Sequence, residues 1–200
     1  YAKPAQPWHF YEIDPLIVTI ARDKGLFTYL QNCAPSAQMH VGDARLTLAE
    51  QPKGTFHMLA IDAFSSDSVP MHLLTKEAFE VYRRVLKPDG LLLVHISNRH
   101  IDLNTVVAAE ARAGKWAAAL RHDNPPQIDQ DRGMRSSYWV AFSADEAKLA
   151  QLTGIVDAKE TKGVYRPQQW VRLYEPGRTP RWTDDYASVL PHLSLWENRK

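Results

Sequence analysis

The sequence predicts an α/β domain built around a mostly parallel sheet. Short apolar strands alternate with helical patterns along the chain, and this alternation is typical of parallel sheets. Two of the apolar runs also stop abruptly at carboxylates, in Trp8–Asp14 and in Phe56–Asp62. Because open parallel sheets bind ligands just outside the carboxyl ends of their strands, we expect the acids at these ends to meet at one crevice.

The first part of the chain is predicted to contain three strands, which are His9–Ile13, Ala37–Val41 and Phe56–Ile61. Asp14 followed by Pro15 starts a helix after the first strand, because Asp is a good N-cap and Pro suits the first turn. That helix carries an apolar face. Arg45–Glu50 is predicted to form one or two helical turns. The third strand is expected to be buried on both faces, because its apolar run shows no alternation.

The second part continues the alternation, and its clearest helix is Leu74–Leu86, with Thr75 as the cap and an apolar face at helical spacing. The remaining predicted elements are the strand Leu91–Ile96, the helix Ile101–Trp116, the strand Ala117–Arg121, a loop over 124–133, the strand Ser136–Ser143 and the helix Ala144–Leu152. No clear crossover helix precedes Ser136–Ser143, so we expect that strand to run antiparallel. Beyond Gly154 the pattern weakens, and we expect Trp182, Tyr186, Leu190 and Trp196 to pack a tail.

Composition excludes several classes of function. The formal net charge is only +1 and the basic residues are scattered, which gives no basis for binding nucleic acid or an anionic membrane. No apolar run approaches the roughly 20 residues of a membrane span. Cys33 is the only cysteine and is expected to be an inert buried thiol, and the eight histidines show no metal spacing, so we predict no metal.

The candidate functional residues are the acids at the strand ends, which are Glu12, Asp14, Asp43, Asp62 and Asp67. Asp14 is most simply a helix cap. A ligand role is favoured for Glu12, because an acid inside an apolar strand costs free energy unless it is paired.

Three positions keep more than one interpretation. Asp43 is either a turn residue after a glycine or a ligand. Asp67 either organises its serine-rich loop or lines the crevice. Asp62 is expected to lie at the crevice, because it ends the third strand. His95 is interpreted as a hydrogen-bonded histidine at a strand end in preference to a catalytic base.

Four segments carry a resemblance to a known family, and they read, in order, YEIDP, VGDAR, IDAFSSDSVPMHLLTKEAF and VLKPDGLLLVHISNR. They resemble the class I S-adenosylmethionine-dependent methyltransferase fold and, more narrowly, its spermidine synthase branch of aminopropyltransferases. The chain is similar to bacterial spermidine synthase-like domains that are often fused to a membrane transporter-like segment. The resemblance covers roughly residues 8–143, and DAFSSDSVPMHLLT is its most specific piece.

The resemblance implies a Rossmann-like fold whose sheet is mostly parallel, with an antiparallel last strand and the first strand missing or displaced. It divides the chain into a domain over residues 1–153 and a C-terminal extension over 154–200 packed on it. The family's glycine-rich loop would lie before Tyr1, so we expect the chain to be a truncated piece that is inactive by itself.

The resemblance also implies which residues bind the cosubstrate, S-adenosylmethionine or its decarboxylated form. Glu12 matches the acid that holds the ribose hydroxyls, with Ile13 beside it. Asp43 matches the acid near the adenine amino group, and the backbone N–H of Ala44 is a second contact. Asp62 also lines this site.

For the acceptor, Asp62 matches the position that orients or deprotonates the attacking amine, and Asp67 matches a second acid of the same loop. The family usually spaces these acids three residues apart, whereas here they are five apart. The implied reaction is aminopropyl transfer in polyamine biosynthesis by a transferase. The alternatives are a methyltransferase on the same fold and a non-catalytic module that binds a ligand or a protein.

The expected partners are a nucleoside and a polyamine, and a homodimer is left open. The expected location is the cytoplasm, either as a free domain or as the soluble part of a membrane-anchored parent protein.

Overall fold

The strands of this protein form two sheets, one of two strands and one of five. They are seen in a computed structural model that describes residues 6–63, 70–98, 100–152, 169–173 and 179–193. The chain divides into two units, residues 1–52 and residues 53–200, and each sheet belongs to one of them. Strands and helices alternate in both units, which confirms the predicted α/β class.

The first unit contains, in chain order, β1 (His9–Glu12), α1 (Pro15–Arg22), α2 (Tyr29–Cys33), β2 (Gln38–Val41) and α3 (Ala44–Ala49). β1 and β2 are parallel, with His9 opposite Gln38 and Glu12 opposite Val41. On one face of this pair the His40 ring stacks on Tyr11, with ring centroids 4.6 Å apart. Cross-strand side-chain contacts of this kind stabilise a pair of neighbouring strands.

Helix α1 begins as the sequence predicts, and part of its apolar face is exposed. The Oδ1 atom of Asp14 accepts a hydrogen bond from the N–H of Leu16 at 2.8 Å, and Pro15 occupies the first helical position. Leu16 is 61% exposed and Ile17 is 48% exposed, whereas Ile20 and Ala21 of the same face are half-buried. The spacing of apolar residues predicted the helix correctly, but it does not determine whether another element covers that face.

Cys33 is exposed, so the prediction of a buried thiol is wrong. Helix α2 buries Leu30, and the buried Ala34 follows it four residues later. Among the residues of α2 only Leu30 is buried, because burial depends on what packs against a helix and not on residue type alone.

The turn from β2 into α3 depends on a glycine and a cap. Gly42 has φ of 140°, a conformation that side chains other than glycine rarely adopt, and a Cβ there would lie 3.2 Å from Cγ2 of Thr47. The Oδ1 atom of the next residue, Asp43, accepts hydrogen bonds from the N–H groups of Arg45 at 2.9 Å and Leu46 at 3.1 Å. Asp43 is therefore the N-cap of α3.

The second unit contains β3 (Phe56–Ile61), α4 (Lys76–Val85), β4 (Leu86–His95), α5 (Asn104–Gly114), β5 (Ala117–Asp123), α6 (Gln127–Asp131), β6 (Ser137–Ser143), α7 (Glu146–Ala150) and β7 (Trp170–Arg172), with short 3-10 turns at Met71–Leu73 and Leu190–His192. The strand order is β3-β4-β6-β5-β7. β3 is parallel to β4, while β6 is antiparallel to both β4 and β5. The prediction that Ser136–Ser143 runs antiparallel is therefore confirmed, and β7 adds a further antiparallel strand at the edge.

Helices cover the centre of the five-stranded sheet on both faces. On one face Phe79 of α4 lies edge-on to Phe142 of β6, with ring centroids 5.3 Å apart. On the other face Leu149 of α7 packs against Ala119 and Ala141. Strands buried on both faces read as continuous apolar runs, which explains the apolar run Leu91–Val94 within β4.

The prediction that β3 is buried on both faces is wrong. Leu59 and Ile61 are buried, but Met58 on the opposite face is 47% exposed. An apolar run shows that burial on both sides is tolerated, yet the residues that the structure describes do not cover the second face. β4 also starts earlier than predicted, directly after α4, because a register shift accommodates Pro88 between the Phe56–Leu86 and Met58–Leu91 pairs.

The described residues of the C-terminal segment pack on the starts of two helices. The carbonyl of Trp182 accepts the N–H of Lys76 at 2.8 Å, and the carbonyl of His192 accepts the N–H of Asp102 at 2.8 Å. Trp182 is buried as predicted, whereas Tyr186 is 55% exposed and does not pack the tail. Leu190 is likewise 73% exposed. Trp196 and the predicted boundary after residue 153 lie outside the described residues.

A buried ion pair fixes this segment to α5. Glu110 is only 1% exposed, and Arg181 binds both of its carboxylate oxygens through Nε and Nη2. Burial raises the pKa of Glu110, and the hydrogen bonds from Arg181 oppose that shift. Nearby, the guanidinium of Arg83 lies 3.7 Å above the Trp116 ring and donates to the carbonyl of Gly114 at 2.7 Å.

We expect Arg181→Met to lower the free energy of unfolding by about 3–5 kcal/mol, because Glu110 then stays buried without its arginine. The double variant Glu110→Leu with Arg181→Met removes both charges and should recover most of that loss. Arg132→Met, which breaks an exposed pair with Asp129 at 3.7 Å, should change stability by less than about 1 kcal/mol. Urea denaturation measures all three, and a double variant as unstable as Arg181→Met would contradict the expectation.

We expect Asp43→Ala to cost about 1 kcal/mol of unfolding free energy, because the first turn of α3 loses its cap. Asp43→Asn keeps a capping oxygen and should cost clearly less. The comparison uses urea denaturation of the same chain, and equal losses in the two variants would show that the cap contributes no stability.

Candidate functional site

The first pair of predicted site acids lies at one end of the β1-β2 sheet. Glu12 is the last residue of β1, and Asp43 follows β2 after a single glycine. The two strand ends are joined, because the N–H of Gly42 donates to the carbonyl of Glu12 at 2.9 Å. The parallel register therefore brings the two predicted nucleoside-binding acids to the same edge.

Both of these acids already make local hydrogen bonds. The Oε1 atom of Glu12 accepts the N–H of Asp14 at 2.9 Å, and the Glu12 side chain is partly exposed. Glu12 is therefore neither fully buried nor without a hydrogen bond, so the energetic argument that favoured a ligand role is weaker than the sequence indicated. Ile13 beside it is 69% exposed. A ligand role for Glu12 and Ile13 stays a prediction.

The cap at Asp43 leaves one backbone group of interest. Its carboxylate binds the N–H groups of the second and third residues of α3. Ala44 is the first residue of that helix, so its N–H has no intrahelical acceptor. Asp43 thus has a local structural role as a helix N-cap, and its role toward a ligand, like that of Ala44, stays a prediction.

The second site lies in the other unit, where the register of β3 and β4 places a carboxylate beside a histidine. Ala60 is opposite Leu93 in these parallel strands. Side chains two residues apart in a strand share a face, so Asp62 and His95 lie on the same side of the sheet. The Nδ1 atom of His95 is 2.7 Å from Oδ1 of Asp62.

Asp62 combines a fixed position with access to solvent. Its side chain is 59% exposed although one of its oxygens is bound to His95. The hydrogen bond from His95 lowers the pKa of Asp62, and partial burial opposes this less strongly. The residue is therefore an anion at neutral pH. Asp67 lies outside the described residues, so its distance from Asp62 stays untested.

The hydrogen-bonded histidine that the sequence predicted at position 95 is confirmed, but its surroundings were not foreseen. The Nε2 atom of His95 is 2.6 Å from Oγ of Ser97, and its ring stacks on Trp139 with centroids 4.9 Å apart. Ser97 also accepts the N–H of Tyr138 at 2.8 Å. The sequence did carry a signal for this contact, because His95 and Ser97 are two residues apart in an extended segment at the end of an apolar strand.

Metal sites and membrane-spanning helices are two features that the composition argued against. Among the residues that the structure describes, no group of three or more His, Cys, Asp or Glu side chains could hold a metal ion. In the same part of the chain, no helix is long and apolar enough to span a bilayer.

Part of the chain is similar in sequence to a spermine synthase. No protein-family model matches the chain. Over 81 residues the chain is 28% identical to spermine synthase from Arabidopsis thaliana, an alignment that covers 40% of this chain and 23% of that protein.

Solved structures that share the fold include two with a TM-score of 0.50 or more. A probable spermidine synthase from Corynebacterium glutamicum matches with a TM-score of 0.54 and 19% identity, covering 82% of this chain and 57% of that one. Spermidine synthase from Thermotoga maritima matches with a TM-score of 0.50 and 15% identity, covering 71% of this chain and 47% of that one. The chain thus spans about half the length of these structures. Its fold is the Rossmann-like fold of the spermidine synthases, and the resemblance to a spermidine synthase-like domain is confirmed.

Proposed function

We propose that this chain is the cosubstrate- and amine-binding domain of a spermidine synthase-like aminopropyltransferase. Its cosubstrate would be decarboxylated S-adenosylmethionine, and its acceptor would be a polyamine. The observation that carries the proposal is the Asp62 carboxylate, an exposed anion at the carboxyl end of β3 that His95 holds in place. Open α/β sheets bind their ligands at such strand ends.

The nucleoside part of the cosubstrate is assigned to the β1-β2 edge. A carboxylate accepts two hydrogen bonds from a vicinal diol, so Glu12 suits the ribose hydroxyls. Asp43 and the N–H of Ala44 offer an acceptor and a donor side by side, as an adenine edge requires. Ile13 is exposed beside Glu12 and can contribute apolar contact.

The proposed reaction is a displacement at a carbon next to the sulfonium. The amine nitrogen forms a bond to that carbon, the carbon–sulfur bond breaks, and its electron pair neutralises the sulfur of the departing methylthioadenosine. The new ammonium then loses a proton to solvent. Because the positive sulfur already activates the leaving group, the protein mainly has to position a neutral amine in line.

Within this reaction Asp62 is assigned to binding the acceptor. A carboxylate with a lowered pKa is a weak base, so it suits holding an amino group better than storing a proton. A charge-assisted hydrogen bond of this kind contributes about 1.5–3 kcal/mol. We propose that Asp67, in the loop that follows Asp62, assists Asp62 in binding the amine.

We expect Asp62→Asn to reduce aminopropyl transfer by about 10–100-fold, because the charge that holds the amine is lost. The assay uses the protein encoded by the complete gene, putrescine and decarboxylated S-adenosylmethionine, with spermidine and methylthioadenosine measured by mass spectrometry. Asp129→Asn, which removes a carboxylate from an exposed ion pair, should leave the rate unchanged. Absence of transfer to every polyamine tested would refute the proposal, and methyl transfer from S-adenosylmethionine would favour a methyltransferase.

We also expect Glu12→Gln to weaken binding of methylthioadenosine about tenfold or more, since a neutral amide accepts fewer hydrogen bonds from the ribose diol. Isothermal titration calorimetry on the same protein measures the affinity. Glu50→Gln removes an exposed carboxylate from the same unit and serves as the control. Equal affinity for the Glu12 variant and the unmodified protein would remove Glu12 from the nucleoside site.

A further inference from the structure

A continuous chain of hydrogen bonds runs through the second site, across the ends of three neighbouring strands. It links Oδ1 of Asp62 to Nδ1 of His95 at 2.7 Å and Nε2 of His95 to Oγ of Ser97 at 2.6 Å. It ends where the backbone N–H of Tyr138 donates to Oγ of Ser97 at 2.8 Å. Both ring nitrogens of His95 are therefore engaged.

The hydrogen positions along this chain follow from the chemistry of its members. An ionised carboxylate only accepts, so the hydrogen of the imidazole must lie on Nδ1, facing Asp62. In the neutral ring, Nε2 then accepts the hydroxyl hydrogen of Ser97, whose oxygen is left to accept the N–H of Tyr138. Each donor in the chain thus faces an acceptor: the Asp62 carboxylate selects the tautomer with its hydrogen on Nδ1, and the Ser97 hydroxyl complements it by donating to Nε2.

Packing holds the imidazole in the orientation that these bonds need. His95 is directly opposite Trp139 in the antiparallel β4-β6 pair, and the two rings are inclined by only 24°. The N–H of Ile96 donates to the carbonyl of Tyr138 at 2.9 Å, which ties the segment carrying Ser97 to β6. The relay therefore rests on a regular part of the sheet.

We propose that His95 and Ser97 are positioning residues for Asp62, which they hold as an oriented anion that receives the amino group of the acceptor. This inference rests on the proposed function for its substrate, but the relay itself can be tested without turnover. The side chain of Asp62 is 59% exposed, so a substrate amine can approach it while His95 fixes the other side. The relay would favour acceptors that carry a basic amine.

The first test examines the relay by nuclear magnetic resonance on the 200-residue chain. Long-range ¹H–¹⁵N correlations should show His95 with its hydrogen on Nδ1. The ¹³Cγ signal of Asp62 should titrate below the ordinary aspartate value of about 3.9. His95→Phe keeps a ring against Trp139 but cannot donate, and should move that midpoint upward. A hydrogen on Nε2, or an Asp62 midpoint unchanged in the Phe variant, would overturn the proposal.

Two variants separate the relay from simple packing. His95→Asn retains a donor near the position of Nδ1, and should keep the Asp62 midpoint low. His122→Phe is the matched control, because His122 also bonds a serine, Ser136, at 2.6 Å and stacks on an aromatic ring. It should leave Asp62 unaffected. If the control shifts Asp62 as much as His95→Phe does, the effect comes from packing and the proposal fails.

The second test uses kinetics of the protein encoded by the complete gene. His95→Phe should raise the KM for the amine about tenfold or more while leaving the affinity for methylthioadenosine unchanged, and His95→Asn should restore part of the loss. Ser97→Ala should act in the same direction but less strongly. An unchanged KM in all three variants would overturn the positioning role.

Two further outcomes separate failure of the proposed function from failure of the positioning role. If the unmodified protein transfers nothing to any amine, the proposed function fails, and the resonance experiment still decides whether the relay exists. Because the order Asp, His, Ser also occurs in nucleophilic triads, a fluorophosphonate that labels Ser97 covalently would show a nucleophile and would contradict the positioning role.

Discussion

The parallel register of β3 and β4 is the constraint on which the candidate amine site depends. With Ala60 opposite Leu93, the residues that follow both strands fall on one face, and Asp62 meets His95. A slip of one residue would send Asp62 to the opposite face and separate the pair. The register is protected because β4 is hydrogen-bonded on both sides and its inner side chains are fully buried.

The five-stranded sheet has a buried centre and an accessible rim. Aromatic side chains from α4 and β6 fill one face of the centre, and α7 covers the other. The bidentate pair of Glu110 and Arg181 holds the C-terminal segment against α5. At the rim, Asp62 and His95 keep partial solvent access, which a ligand-binding carboxylate requires and a core residue could not have.

Local sequence signals predicted the elements well because their causes are local. Asp14 and Thr75 cap helices, and the apolar runs became strands, since capping and periodicity need only a few neighbouring residues. Exposure was harder to predict: Met58 and Cys33 are open because burial depends on what packs from elsewhere. The pairing of Asp62 with His95 was also missed, because strand order and register are not written in either strand alone.

We assign the nucleoside to Glu12 and Asp43 and the amine to Asp62, each at the carboxyl end of a parallel strand. The most direct measurement is a crystal structure of the protein encoded by the complete gene, with methylthioadenosine and a polyamine bound. We expect the ribose hydroxyls to bind Glu12, the adenine to lie near Asp43 and Ala44, and an amino group to bind Asp62. A nucleoside bound away from Glu12 and Asp43, or a polyamine away from Asp62, would contradict it.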